Sequence, residues 1–282
     1  MRLFTVLFLL AAGSAVGPAT LATPALAQDL FLDGFEPGCP SSWSLASGWS
    51  CVDGDAPVPG NSLVEEVGEG GCAAGMVLIA GTTPFCIDRF EASLMNASSG
   101  GPWSSYLRPG PGDTVIARSV RGATPQGYID QVTASAACSN AGKRLCTDAE
   151  WLRACQGPSG FTYPWGNTAQ PGRCNDARAV HPLVEYYGTT DPWIWEHLDQ
   201  PCLNQLPAGL ERTGLRAGCV SAEGPMDMMG NLHEWTADPA GTFRGGFYVD
   251  TVLNGPGCLY VTTAHDVSHW DFSTGFRCCA DL

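Results

Sequence analysis

Basic residues are scarce: 14 Lys and Arg stand against 28 Asp and Glu in 282 residues, a formal net charge of −14. That balance argues against a phosphate-neutralising surface for nucleic acid and against an adhesive face for anionic lipid. The acidic residues are scattered rather than run together, as on a solvated surface. The chain also lacks a Gly-x-Ser-x-Gly elbow, a phosphate-binding glycine loop, a His-Glu-x-x-His helix and any Cys-x-x-Cys pair. Serine-hydrolase, P-loop and common zinc chemistries therefore have no local signature here. After the N-terminal segment, no apolar run is long enough to span a bilayer.

Cysteine, by contrast, is abundant. The chain opens on Met1-Arg2 and an apolar run from Leu3 to Val16, and Pro24-Ala25-Leu26-Ala27 then supplies small residues at a cleavage site. This predicts a secretory signal over residues 1–27, with a retained anchor as the alternative. No Cys directly follows the run, which argues against a lipoprotein. The mature protein is thus expected to be secreted, either periplasmic or extracellular, with no transmembrane segment once the signal is removed. Thirteen cysteines in an exported chain imply disulfides, and the odd number leaves one unpaired or bonded to another molecule. The adjacent Cys278 and Cys279 suit two separate bridges.

Residues 28–71 form an expected extension. Leu30 to Phe35 predicts a short strand and turn, Cys39 and Cys51 bracket a Ser/Trp-rich loop and are expected to pair locally, and Gly54 to Gly71 has linker composition. The main domain, residues 72–282, begins with two predicted strands, Gly75–Ile79 and the alternating Phe85–Glu91. On the second, Asp88, Arg89 and Glu91 suggest a salt network along a strand face. Two helices follow. Thr133 is the expected cap of Ala134–Ala141, with Gly142 ending it; Thr147-Asp148-Ala149-Glu150 is a capping box opening Asp148–Cys155, closed by Gly157-Pro158.

From Gly157 to Pro225 the chain is irregular and rich in Pro, Gly, Asn and aromatics. Tyr186, Tyr187, Trp193 and Trp195 cluster in one loop; they could stack on a ligand such as a sugar, but a plug in a loop-rich core is favoured. His265 and His269 are four apart, as two metal ligands on a helix would be. Val261-Thr262-Thr263 favours strand there, which would spread the pair too far. His233 is expected to pack.

The organising stretch is Gly224 to Tyr248. Asn231 and Glu234 lie three apart on a glycine-bounded backbone and can offer oxygens to one point, as calcium requires. Trp235 and Arg244 are expected to be pinned inside. Five blocks carry a family pattern: Gly230-Asn231-Leu232-His233-Glu234-Trp235, Arg244-Gly245-Gly246, Gly275-Phe276-Arg277-Cys278, Ala141–Leu145 running into Asp148–Trp151, and Tyr163-Pro164-Trp165-Gly166-Asn167. In the family's order along residues 141–278, they resemble the formylglycine-generating enzyme, or sulfatase-modifying factor, family.

The resemblance implies an α+β, C-type-lectin-like fold: loop-rich, with short twisted sheets and two capped helices, stapled by disulfides. It implies disulfides Cys138–Cys278 and Cys155–Cys258, and structural calcium held by Asn231, the Leu232 carbonyl and Glu234, with Asn175 and Asp176 at a second site. The family's enzymes oxidise a substrate cysteine using O₂ and copper held by two thiolates just beyond Arg-Gly-Gly. Here Phe247 replaces the serine after the second glycine, Asp250 stands at the first cysteine position, and the next cysteine is Cys258. A hard carboxylate does not substitute for a thiolate on copper(I), so no catalytic residue is assigned and copper is not expected. The expected function is a non-catalytic module binding an extracellular ligand or protein. A divergent oxidoreductase acting on protein cysteine and a structural component of an envelope assembly are the alternatives.

Overall fold

The computed structural model describes residues 63–282 together with Trp43, Ser44, Ser50 and Cys51. The expected signal, the Leu30–Phe35 strand and Cys39 lie outside the described residues. The order of elements is β1 (Trp43–Ser44), β2 (Ser50–Cys51), β3 (Met76–Ile79), β4 (Phe85–Asp88), β5 (Ala92–Asn96), β6 (Val115–Ser119), α1 (Gln131–Asn140), β7 (Arg144–Leu145), α2 (Asp148–Gln156), α3 (Pro182–Tyr187), β8 (His233–Trp235), β9 (Phe243–Arg244), β10 (Val261–Thr262), β11 (Thr274–Phe276) and β12 (Cys278–Asp281), with short 3₁₀ turns between. This is a loop-rich α+β architecture with short sheets and few helices.

One four-stranded sheet, ordered β3-β4-β12-β7, brings the start of the domain against the C-terminus. The other, ordered β10-β9-β8-β11, pairs β8 with β11 in parallel, Glu234 opposite Gly275 and Trp235 opposite Phe276. Two blocks of the motif pattern, 40 residues apart, are therefore one ladder. Gly275 allows it, because a Cβ there would press on the Leu232 side chain. The alternation of Phe85–Glu91 implied a half-buried strand; β4 is instead buried at every position, lying between β3 and β12.

The first helix starts earlier than expected. Asp130, not Thr133, is its N-cap, the carboxylate accepting from the Thr133 N–H at 2.7 Å. Gly142 follows the helix at φ +71°. The second helix keeps its capping box, the Thr147 hydroxyl accepting from the Glu150 N–H and the Glu150 carboxylate from the Thr147 N–H. Its buried face carries Trp151, Ala154 and Cys155 against Val77, Ile79, Ile87 and Met228. The third helix, α3, carries no periodic apolar signal, being six residues long; Pro182 at its start and left-handed Gly188 at its end define it.

Six disulfides join Cys51–Cys202, Cys72–Cys86, Cys138–Cys278, Cys146–Cys279, Cys155–Cys258 and Cys174–Cys219. Cys138–Cys278 and Cys155–Cys258 are the pairs the family resemblance implies. The local Cys39–Cys51 pair is corrected: Cys51 bonds Cys202 across 151 residues. Residues 63–71, expected as linker, are anchored. Glu65 accepts from the Ser119 N–H, Glu66 pairs with Arg89 and Arg121, and Glu69 pairs with Arg89. The six disulfides point to an oxidising, extracytoplasmic compartment. Among the described residues no helix is long and apolar enough to cross a membrane.

Candidate functional site

The β8–β11 ladder sets Glu234 beside Arg277, both fully buried. The guanidinium grips the carboxylate bidentately, Nε to Oε2 and Nη2 to Oε1, each at 2.6 Å. Trp151 Nε1 donates to the same carboxylate at 2.7 Å. Arg277 also donates to the carbonyls of Asp88 and Met226. Beside this pair, Asn231 adopts φ +59°, a left-handed conformation that asparagine tolerates. Its Oδ1 accepts from Asn175 Nδ2 and from the Glu211 N–H, and its Nδ2 donates to Glu91. The Leu232 N–H donates to the other Glu91 oxygen at 3.0 Å.

These contacts answer the calcium expectation. The Glu234 oxygens face one guanidinium and one indole N–H, and Asn231 Oδ1 faces two N–H donors. Asn175 gives its amide to Asn231 and to the Gly209 carbonyl, and the Asp176 carboxylate accepts from the Gly172 N–H. Oxygens already oriented toward N–H groups are not free to converge on a cation, so Asn231 and Glu234, as arranged, do not fit calcium. Arg277 supplies the positive charge instead.

Two members of the cluster escaped the sequence reading. Glu91 was grouped with Asp88 and Arg89 as strand-face salt. Asp88 does pair with Lys143 at 2.7 Å and Arg89 with Glu66, but Glu91 turns inward to Asn231 and Leu232. Asp227, also buried, accepts from the Gly214 N–H at 2.6 Å. Burial, reinforced by Asp227 and Glu234, pushes Glu91 well above the usual carboxylate range. Burial likewise holds Asp227 up at about 6. Three carboxyls thus share one guanidinium. The only sequence signal for this was the Arg of Gly-Phe-Arg.

A pH dependence follows. A carboxyl with a raised folded pKa keeps a proton that the unfolded chain has released, so its stabilisation is complete below about pH 4 and is lost as pH rises through the folded value. For Asp227 that window ends near 6. Asp271 and Glu150, held low, act in the opposite sense, losing stability only as pH falls below the ordinary carboxylate range. Between about pH 4.5 and 7 the buried His181 and His233, both held at about 4, add stability as the unfolded chain's imidazoles lose their protons, so the carboxyl effect is read as a difference. In calorimetry the melting temperature of Asp227→Asn is expected to gain on that of the wild type as pH rises through about 6. A difference between variant and wild type that does not change with pH across this window would contradict the arrangement.

The second candidate region follows Arg244-Gly245-Gly246. Arg244 and Trp235 are buried as expected, the arginine paired with Asp148. Asp250, at the position where the resemblance expects a thiolate, closes its own loop: its carboxylate accepts from the N–H groups of Val252 and Leu253 and from the Tyr260 hydroxyl at 3.2 Å. Cys258 is bonded to Cys155 and offers no thiolate.

The aromatic loop divides. Tyr186 and Tyr187 are buried, packed with Leu183, Ile194, Leu203 and Phe272, as a core plug. Trp193 and Trp195 are 39% and 48% exposed. The Trp195 ring lies 4.7 Å from His181, which backs onto Phe247 and Phe272. Burial lowers His181 to about 4, so Trp195 rests on an uncharged ring.

His233 packs as expected, among Phe243, Phe247 and Tyr260. Its pKa is lowered by burial to about 4, and its Nδ1 has no hydrogen-bond partner. The expectation for His265 and His269 is corrected. The strand there ends at Thr262, and the chain turns back through left-handed Ala264, bringing the two rings within 4.8 Å.

The model of the sulfatase-modifying factor enzyme 1-like domain matches residues 97–281. Among curated proteins, the formylglycine-generating enzyme of Bos taurus is 28% identical over 160 residues, covering 54% of this chain and 38% of that protein. The inactive C-alpha-formylglycine-generating enzyme 2 of Mus musculus is 30% identical over 140 residues, covering 45% of this chain and 38% of that protein. The chain therefore corresponds to well under half the length of either relative. Among solved structures, PvdO from Pseudomonas aeruginosa aligns with a TM-score of 0.45 at 14% identity, over 72% of this chain and 83% of that one. With the family model matching about two thirds of the sequence, and with its motif blocks meeting in one ladder, the chain belongs to the sulfatase-modifying factor enzyme 1-like domain family.

Proposed function

We propose that this protein is a secreted, non-catalytic binding module built on a C-type-lectin-like variant of the family fold. The observation that carries the reading is the pair Asp250 and Cys258. The carboxylate at the first thiolate position is taken up by Tyr260 and two backbone N–H groups, and the following cysteine is locked in a disulfide. Copper(I) chemistry needs soft sulfur ligands, and no described cysteine is free to supply them. The alternative of a divergent oxidoreductase using Cys258 loses its sulfur for the same reason. One of the matched relatives is itself named inactive, while another is named for the activity; overall likeness does not decide between them, and the Asp250 loop supports the non-catalytic reading.

The binding surface is the exposed pair Trp193 and Trp195. A tryptophan held on a neutral histidine, with Phe247 and Phe272 behind, presents a rigid apolar face at little cost in side-chain entropy. Such faces stack on sugar rings or on apolar peptide side chains. Two measurements test the reading together. The oxidised mature protein, supplied with copper(I) and O₂, should leave a cysteine-containing peptide unmodified in mass spectrometry. On glycan and peptide arrays it should bind a ligand class whose affinity falls at least about tenfold on Trp195→Ala, with the melting temperature unchanged. Conversion of the peptide cysteine would overturn the non-catalytic assignment, and unaltered array binding by the variant would remove Trp195 from the surface.

A further inference from the structure

We propose that His265 and His269 form a binding site for one borderline divalent transition-metal ion, of the Zn²⁺, Ni²⁺ and Cu²⁺ class. The site is separate from the Asp250 loop and from the buried carboxyl cluster. The argument begins with the backbone. Ala264 at φ +63° reverses the chain after β10, the His265 N–H donates to the Gly241 carbonyl, and the Asp266–His269 turn closes with a backbone hydrogen bond at 2.8 Å. Asp266 stiffens that turn by accepting from the N–H and hydroxyl of Ser268. A spacing that suits a helix is thereby reproduced by a turn.

The rings are half-buried, with centres 4.8 Å apart and planes tilted by 45°. Two imidazoles sharing one tetrahedral ion at nitrogen–metal distances of about 2.0–2.1 Å have ring centres on the order of 5 Å apart. The observed separation matches that geometry, and the tilt departs from parallel stacking.

The second, independent observation is Asp271. This buried carboxylate is fixed by the N–H and hydroxyl of Ser273, each at 2.7 Å, and lies 3.1 Å from His269 Nε2. An ionised carboxylate only accepts, so Nε2 carries the proton and Nδ1 presents its lone pair. A carboxylate behind a histidine is the arrangement that orients metal-ligating imidazoles and strengthens them as donors. His265 is braced from the other side by the Phe243 ring at 4.8 Å.

Imidazole nitrogen selects borderline ions over calcium or magnesium. Among the described residues no set of three His, Cys, Asp or Glu side chains is arranged to hold a metal, so water fills the remaining coordination positions. The ion is therefore open to an exogenous oxygen or nitrogen ligand.

The test uses the full mature chain, stripped with chelator, desalted and titrated by calorimetry with Zn²⁺, Ni²⁺ and Cu²⁺ separately. One ion per chain is expected, with copper bound most tightly. Binding should weaken at least about tenfold in His265→Ala and in His269→Ala, and about tenfold in Asp271→Asn. His197→Ala, which alters a ring beside Tyr187 and Trp193, should leave it unchanged. Electron paramagnetic resonance of the copper-loaded wild-type chain should show two coordinating nitrogens, a readout that requires no variant to fold. Absence of stoichiometric binding by the wild-type chain, a spectrum without two nitrogens, or full-strength binding by a folded His265→Ala/His269→Ala double variant would overturn the proposal.

Discussion

Glu234→Ala is expected to cost about 3–5 kcal/mol in stability, because it leaves a buried guanidinium without its counter-ion. Arg277 is 0% exposed and Glu234 1%, and their bidentate contact is the only ion pair of that side chain among the described residues. Without the carboxylate, Arg277 retains only backbone carbonyls and Trp151 Nε1 loses its acceptor. Part of the loss is offset, because Glu91 and Asp227 are relieved of a neighbouring negative charge and can ionise toward the arginine. Replacing both partners by apolar residues, Glu234→Leu with Arg277→Met, should cost less than Glu234→Ala alone, since no buried charge is then stranded. Urea denaturation of the oxidised proteins measures both. A single-variant loss under about 1 kcal/mol would mean that water reaches this pair.

Removing the bridges Cys138–Cys278 and Cys146–Cys279 together is expected to cost about 6 kcal/mol, against about 2.5 kcal/mol for either alone. The two bridges span 140 and 133 residues, but they end on adjacent cysteines. With one intact, breaking the other opens only the small ring between residues 138 and 146. With both broken, the next restraint is Cys155–Cys258, and the ring released grows to about 30 residues. The pair should therefore be non-additive by about 1 kcal/mol. Strict additivity, measured on serine variants of all four cysteines in one double-mutant cycle, would show that strain rather than chain closure dominates.

Legibility followed the range of the signal. The capping box at Thr147 is written in four consecutive residues and was found in place. The left-handed glycine after α1 was equally local, whereas its N-cap moved from Thr133 to Asp130, whose carboxylate accepts from the Thr133 N–H and starts the helix about one turn earlier. The long disulfides Cys138–Cys278 and Cys155–Cys258 came from family resemblance, not from spacing. Where only spacing was available, proximity in sequence suggested Cys39 for Cys51, and the true partner lay 151 residues away. Glu91 was read as part of a strand-face salt network, but β4 ends at Asp88 and the chain beyond it turns Glu91 inward, which nothing local reveals. The spacing of the histidine pair was misjudged by continuing a β-branched run beyond Thr262, where the strand ends. Of the candidate ligating set, Asn231 and Glu234 did converge on one buried centre, which also holds Arg277 and Glu91.

The bond between Cys51 and Cys202 also determines what a protease cut does to the chain. A nick anywhere between those two cysteines severs the backbone without releasing the preceding segment, which stays covalently attached through sulfur. A clipped molecule would run as a single band on a gel without reductant and separate into two only when reduced. Shedding of that segment therefore requires two events, a cut and a reduction.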